Sequence, residues 1–280
     1  MNESLTHALE SLASDDPTSR VDAIFALEQI AASSLGHHPA IVEAVTRFIR
    51  ETVPWSWTPT DEHSSRPGAD VEAALTLLSS ARWSNLGLVA IDLSNTALEG
   101  VRLGKAHLPG VIFKEANLRG ANLWQADLSG ADLGGTALEQ ANLWEANLRD
   151  AKLWGTFLDG ANLRKADLRK ADLWSATLRQ VNLSGADLRE ATLWRSDLQE
   201  ASLYGARLDD ATFKQADLSG ADLKQASLRK ANLAGATLHG ADLQRADLTG
   251  ANLFGADLEG AALSGARLDG AVLPGGHGSR

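Results

Sequence analysis

The chain has 280 residues, a formal net charge of −10 at pH 7 and no cysteine. The missing cysteines exclude internal disulfides, thiolate nucleophiles and thiolate metal sites. No uninterrupted apolar run approaches the roughly 18 residues of a membrane span, and the first residues lack the basic and apolar regions of a secretory signal. We therefore expect a cytoplasmic protein that does not enter a membrane.

Residues 1–85 are predicted to form a small α-helical domain that packs on and caps the rest of the chain. Asp16 followed by Pro17 is typical of an N-cap and a first helical residue. Apolar residues then follow at helical spacing in Val21, Ile24, Leu27 and Ala31. This pattern predicts a first helix with one buried face.

Two more helices are predicted before the sequence changes character. One begins at Pro39, with His38 extended in front of it, and Pro54 stops it. The turn-rich segment 57–70 is predicted to be a linker. At its end, Asp70 is predicted to cap a helix that finishes near the start of a five-residue repeat.

That repeat runs from Leu88 to Leu273 without an insertion and comprises 38 units. The central residue is leucine in every unit except those of Phe113 and Phe213. A period of five matches neither a helix nor a single strand. In every unit after the first, a small or β-branched residue stands two positions before the centre, and residues two apart in extended backbone point the same way. The pattern therefore predicts a solenoid whose coils bury alanine and leucine.

Units such as ADLSG, ANLRK and ANLFG resemble the pentapeptide-repeat family over roughly 190 residues. The resemblance implies a mainly-β fold, a right-handed quadrilateral β-helix with four pentapeptides per coil. We assign the solenoid to residues 86–275 and a flexible tail to 276–280. The helical region is also similar to one that precedes the repeats in a bacterial subgroup of the family.

Residue types recur at a spacing of 20, which independently favours four sides of five residues. Trp154, Trp174 and Trp194 are 20 residues apart. The same spacing relates Asn122, Asn142, Asn162 and Asn182. In a coil of 20 residues such positions stack at one strand spacing, roughly 4.8 Å.

No catalytic, cofactor or metal motif is found among the histidines, serines and glycine-rich stretches. The many aspartates precede the central leucines, where we expect them to bond nearby backbone at the bends. We therefore predict a protein that is not an enzyme and needs no cofactor.

The negative charge is concentrated outside the repeat. Residues 1–85 carry 12 acids and 5 bases, whereas residues 86–280 carry 24 acids and 21 bases. Duplex DNA carries about one charge per 1.7 Å. The net charge therefore does not support mimicry of DNA by the whole rod, and leaves it open only for a local acidic face.

One side of the predicted rod carries Arg149, Arg169 and Arg189 in successive coils. This charged strip is either an anion site or a column neutralised by Asp167 and Asp187. Because the acids are interleaved with the arginines, we favour neutralisation and expect no direct nucleic acid binding.

Aromatic residues follow the central leucines, where side chains point outward. The candidate partner-binding residues are Trp154, Trp174 and Trp194 on one face, and Trp124, Trp144 and Tyr204 on the opposite face. Stacked aromatics also stabilise a β-solenoid, so the two roles are compatible. Exposed tryptophans are common in binding hot spots, which makes these columns the candidate contact surface.

The last repeats are a candidate self-association surface, formed by Leu263, Leu268, Val272 and Leu273. An end-to-end homodimer would cover these residues and the strand edge beside them. Alternatively, Pro274 and the glycines after it fold over this end and leave a monomer.

Two functions remain open. The first is a non-enzymatic scaffold whose faces bind a protein partner. The second is implied by the family resemblance alone: modulation of DNA gyrase or another type II topoisomerase, as in protection from quinolones or toxins.

Overall fold

The computed structural model describes residues 3–56, 66–80, 83 and 90–275. Most of the predicted linker, the first repeat around Leu88 and the tail 276–280 lie outside the described residues. The helices are α1 (Glu3–Leu12), α2 (Pro17–Ser33), α3 (His38–Thr52) and α4 (Ala69–Leu78), with a 3₁₀ turn at Leu35–His37 between α2 and α3.

Helix α2 begins where the sequence predicts. The carboxylate of Asp16 accepts a hydrogen bond of 2.8 Å from the Ser19 backbone N–H, and Pro17 is the first helical residue. Ile24, Leu27 and Ala31 are buried as expected, whereas Val21 is only half-buried. Helix α1, which the sequence analysis did not assign, packs against α2 through Leu5, Ala8 and Leu12.

Helix α3 begins one residue earlier than predicted. His38 has helical backbone angles, so the expectation that it is extended before Pro39 is wrong. Its ring is buried and packs edge-on against Trp83. The ring nitrogen Nε2 lies 2.8 Å from the Ala31 carbonyl oxygen. These tertiary contacts outweigh the local preference of a residue before proline.

Asp70 does not cap helix α4, contrary to the prediction. Gly68 is the N-cap, and Asp70 lies inside the first turn with its side chain almost fully buried. The carboxylate pairs with Arg20 at 2.6 Å and thereby joins α4 to α2. An isolated buried carboxylate is costly, so this partner decides the side chain's position.

The remainder of the described chain is the predicted right-handed quadrilateral β-helix. Parallel β-bridges join residues 20 apart, from Asp92–Ile112 to Asn252–Val272. Each side of a coil contributes one short extended segment centred on such a residue, every fifth position along the chain. In a representative rung, Leu123 N–H donates to Asn142 at 2.8 Å and Asn142 N–H donates to Ala121 at 2.9 Å.

The interior of the rod is filled by the central leucines and the small residues two positions before them. Leu173 and both central phenylalanines, Phe113 and Phe213, have no exposed surface. Burial of one such side chain contributes on the order of 1.5–3 kcal/mol. Repetition of this layer in every coil gives the rod one continuous apolar core.

Each side ends in a β-turn that redirects the chain by one corner. The N–H of Ala121 donates to the carbonyl of Leu118 at 3.0 Å, and Gly120 between them has a φ of +61°. The equivalent Gln125 has a φ of +53°. Positive φ at the third residue is the requirement of a type II turn, and non-glycine residues meet it here at a modest conformational cost.

The helical region contacts the first described coil at several points. Pro54 forms an antiparallel bridge with Thr96, and Arg50 pairs with Asp92 at 2.7 Å. The His107 N–H donates to the Ser79 carbonyl at 2.9 Å, next to the end of α4. These bonds fill part of the strand edge of that coil; the division at residue 85 stays a prediction.

Candidate functional site

Side chains at the fourth position of each unit leave the rod at its corners. Because coils repeat every 20 residues, these side chains form columns parallel to the rod axis. We call the first the 154 column: Lys114, Gly134, Trp154, Trp174, Trp194, Lys214, Ala234 and Phe254. We call the second, two units away at the opposite corner, the 124 column: Gly104, Trp124, Trp144, Arg164, Ser184, Tyr204 and Lys224.

Two of the three tryptophans in the 154 column stack on each other. The ring centroids of Trp174 and Trp194 are 6.2 Å apart with planes at 29°, and the side chains are 41% and 36% exposed. Within the described residues, Trp154 makes no ring contact with Trp174. The predicted row of three is therefore an exposed pair with one separate, half-buried ring.

Glycine explains why Trp154 lies apart. A Cβ on Gly134, one coil earlier, would overlap the indole ring, so the ring occupies the space that the glycine leaves. Beyond it, the Lys114 ammonium lies 5.6 Å from the ring centroid. Trp154 thus packs against both residues as part of the scaffold.

The 124 column repeats this arrangement at its start. The ring of Trp124 lies over Gly104, with the Lys105 ammonium 4.7 Å from its centroid. Trp144 stacks on Trp124 at 6.3 Å and 20°, and both are half-buried. Tyr204 is 43% exposed and stands away from them, three coils after Trp144.

The sequence analysis overlooked Phe254, which is 60% exposed in the 154 column. Its position differs from that of Trp194 by 60 residues, which is three whole coils. The period of 20 was a sufficient signal, since the same spacing places Tyr204 three coils after Trp144. Ala234 and Lys214 separate Phe254 from the tryptophan pair.

The arginine strip is neutralised by neighbouring carboxylates. Arg169 donates through Nε to Asp167 at 2.8 Å, and Arg189 donates in the same way to Asp187 at 2.8 Å. Arg149 pairs with Asp150 at 3.2 Å. The hydrogen bond from Arg169 holds the pKa of Asp167 below its ordinary value despite partial burial. This geometry favours the interpretation of the strip as structural.

Carboxylates along the rod also hold the turns. Asp127, like many equivalent residues, accepts from the backbone N–H two residues later, at 3.2 Å from Ser129. At Asp247, burial would raise the pKa, but hydrogen bonds from Thr249 and Arg229 prevail and lower it to about 2. These acids have fixed structural partners, as predicted for aspartates at bends.

The asparagine ladder forms over three coils. Asn142 donates its amide to Asn122 at 3.2 Å, and Asn162 donates to Asn142 at 3.1 Å. The side-chain oxygen of Asn182 instead accepts from Ser184. The ladder ties consecutive coils together beside the 124 column.

The five-residue repeats match the model of a known protein family. Eight copies of the family described as "Pentapeptide repeats" match between residues 88 and 275, which is more than half of the chain. The chain belongs to the pentapeptide-repeat family. This confirms the resemblance carried by the A-[D/N]-L units, and the four-sided β-helix with it.

Solved structures of other pentapeptide-repeat proteins are similar to this one. HetL, involved in heterocyst differentiation regulation in the cyanobacterium Nostoc sp. strain PCC 7120, is 38% identical; the match covers 68% of this chain and 87% of HetL, with a TM-score of 0.30. QnrB1, a plasmid-mediated fluoroquinolone resistance protein, is 20% identical over 62% of this chain and 93% of its own, with a TM-score of 0.51. Rfr23 from the cyanobacterium Cyanothece 51142 is 37% identical over 32% and 58%, with a TM-score of 0.28. No curated protein matches this chain.

Near one end of this pentapeptide-repeat protein, three polar side chains converge on the surface. His239, Asp257 and Glu259 each bring one ligand atom within 4.8 Å of the others. All three are exposed, and exposed acidic groups commonly cluster without binding an ion. The cluster by itself identifies no metal.

The predicted self-association residues of the pentapeptide-repeat rod differ from the core leucines. Leu263, Leu268 and Leu273 are only half-buried, and Val272 is 36% exposed, whereas Leu233 has no exposed surface. The last described coil thus offers apolar surface. Among the described residues, no helix of this pentapeptide-repeat protein has the length and apolarity to cross a bilayer.

Proposed function

We propose that this pentapeptide-repeat protein is a non-catalytic scaffold that binds a protein partner through one corner of its rod, the corner that carries the 154 column. The observation that carries the proposal is the exposed, stacked pair Trp174 and Trp194. Tryptophan is enriched in interface hot spots because it supplies a large apolar area with few rotatable bonds.

The distribution of polar groups supports a binding role over catalysis. The aspartates of the turns, such as Asp127 and Asp247, are engaged by backbone, hydroxyl and guanidinium donors. A general acid-base pair needs carboxyl groups that are available to a substrate. The regular rod instead presents extended faces, as binding solenoids do.

Photo-crosslinking tests the scaffold proposal. Ser175 follows Trp174 at the corner and is replaced by a photoreactive amino acid; Gly205, which follows Tyr204, is the matched position at the opposite corner. We expect a defined crosslinked partner from position 175 in the cells that produce the protein, and its loss when Trp174 and Trp194 are changed to alanine. Equal crosslinking from both positions, insensitive to the tryptophans, would contradict the proposal.

The second candidate is modulation of DNA gyrase. It rests on the family resemblance; the likeness to QnrB1, itself a fluoroquinolone resistance protein, concerns the fold. A supercoiling assay with purified gyrase, with and without a quinolone, tests it directly. Protection or inhibition that depends on the concentration of this protein would favour the second candidate, and no effect would remove it.

A further inference from the structure

The exposed tryptophan pair lies next to two cationic side chains. The Arg195 guanidinium lies 4.9 Å from the centroid of the Trp194 ring. Gln215 accepts from both groups, at 3.2 Å from the indole N–H and 3.1 Å from the Arg195 Nε–H. Lys214 follows Trp194 in the same column, one coil later, and both cations are exposed.

Neither cation has a carboxylate partner in the described part of the chain. Arg195 bonds the neutral amide of Gln215, and Lys214 has no ion pair there. By contrast, Arg169, Arg189 and Arg229 in other corners and sides of the rod each pair with an aspartate. The corner around Trp194 therefore retains positive charge that the scaffold does not neutralise.

The acids on the side of the coil that follows this corner, Asp197 and Asp217, do not neutralise these cations. Asp197 pairs with Arg179 at 2.5 Å. Asp217 accepts from Gln199 at 2.7 Å and from the Ser219 backbone N–H at 2.9 Å, and these bonds help to keep its pKa below the ordinary value although burial opposes them. Both carboxylates are thus committed to other donors.

An approaching carboxylate would gain ion pairs at this corner, whereas an approaching ammonium group would be repelled. Apolar side chains beside the carboxylate would cover the exposed faces of Trp174 and Trp194 and remove apolar surface from water. Complementary charge at the rim of an apolar patch sets partner choice and association rate.

We propose that the corner formed by Trp174, Trp194, Arg195 and Lys214 binds an acidic segment of a partner protein that also carries apolar side chains. The inference rests on the proposed scaffold function and names the chemistry of the partner. Binding joins the stacked indole rings to the apolar residues, and the two cations to the carboxylates.

The probes are two fluorescein-labelled synthetic peptides. The glutamate peptide is composed of glutamate, leucine and glycine, and the lysine peptide has lysine in place of every glutamate. Fluorescence anisotropy with the full chain measures binding at low and at physiological salt. We expect the glutamate peptide to bind, more weakly at the higher salt, and the lysine peptide not to bind. Arg195→Gln combined with Lys214→Gln is expected to weaken binding of the glutamate peptide by about tenfold.

Trp174→Ala combined with Trp194→Ala is expected to abolish binding of the glutamate peptide with the β-type circular dichroism retained. The matched control is Tyr204→Ala with Lys224→Gln, an exposed aromatic and the lysine one coil later in the 124 column, and it should bind as the unaltered chain does. No binding of the glutamate peptide, equal binding of both peptides, or equal loss in the control variant overturns the inference. The crosslinking experiment at position 175 tests the scaffold function separately, because crosslinking does not require the partner to carry a particular charge.

Discussion

At the scale of single residues, the aspartates before the central leucines are parts of the scaffold. Asp247 shows this most fully, because its carboxylate accepts from Thr249 and also pairs with Arg229 and Arg267. Its pKa is about 2 in the folded chain against an ordinary 3.8. Its contribution to stability is therefore complete above about pH 4 and is lost as the pH falls toward 2.

We predict that Asp247→Asn lowers stability most at neutral pH. The difference in unfolding midpoint from the unaltered chain should shrink as the pH falls from 4 toward 2, because the unaltered carboxylate then becomes protonated too. Thermal unfolding followed by circular dichroism at several pH values measures this. Asp210→Asn, at an exposed turn position, is the control. A difference for Asp247→Asn that stays constant with pH would contradict the assignment.

A second residue-scale prediction concerns the core. Leu173→Asp places an unpaired carboxylate among stacked leucines and should cost several kcal/mol, enough to disrupt the rod locally. Phe213→Leu inserts the residue that other units carry and should cost only about 1 kcal/mol through a small cavity. Chemical denaturation compares the two variants. A larger loss for Phe213→Leu would mean that the inward register is wrong at this point.

The sequence could predict these inward residues because one side chain in every five must fill the same space. It could not predict the position of Asp70, whose partner Arg20 is 50 residues away. Nor could it show that Trp154 separates from Trp174, since that depends on the space above Gly134. Periodicity reports the shared environment of a repeat, whereas single contacts decide the exceptions.

At the scale of elements, glycine and tryptophan in successive coils act as matched pairs. Gly134→Ala should displace the ring of Trp154 and destabilise the rod by about 1–3 kcal/mol through overpacking. The control is Gly110→Asn, since nothing lies within 4 Å of a Cβ at Gly110 and asparagine already occupies the equivalent left-handed position at Asn95. Unfolding midpoints by circular dichroism compare them; equal effects would argue against the matched pair.

The helix ends depend partly on neighbouring residues in the sequence and partly on tertiary contacts. The N-cap of α2 was predictable because Asp16, Pro17 and Ser19 are adjacent in the sequence. The start of α3 was not, because the buried contacts of His38 come from Ala31 and Trp83. Sequence patterns therefore locate elements more securely than the residues at their ends.

At the scale of the whole molecule, we propose that two copies associate through the last described coil. Leu263 and Leu273 are half-buried and Val272 is exposed, so an isologous contact would cover apolar surface and close the assembly. Light scattering at micromolar concentration should give the mass of a dimer. Val272→Asp should yield a folded monomer, because this exposed residue contributes little to the core.

Two outcomes would contradict this interface. A monomer mass for the unaltered chain refutes the dimer. A dimer that persists after truncation at Gly265 would place the contact elsewhere in the molecule.

The 20-residue coil also fixes the angular phase of every surface residue, and this phase depends only on the number of residues between two positions. The two aromatic columns are half a revolution out of phase. Excision of residues 146–155, two complete units, would rotate everything after them by half a revolution. Trp174 and Trp194 would then continue the column of Trp124 and Trp144, giving four consecutive tryptophans along one corner. In this fold, the length of an internal deletion determines which surfaces face the same partner.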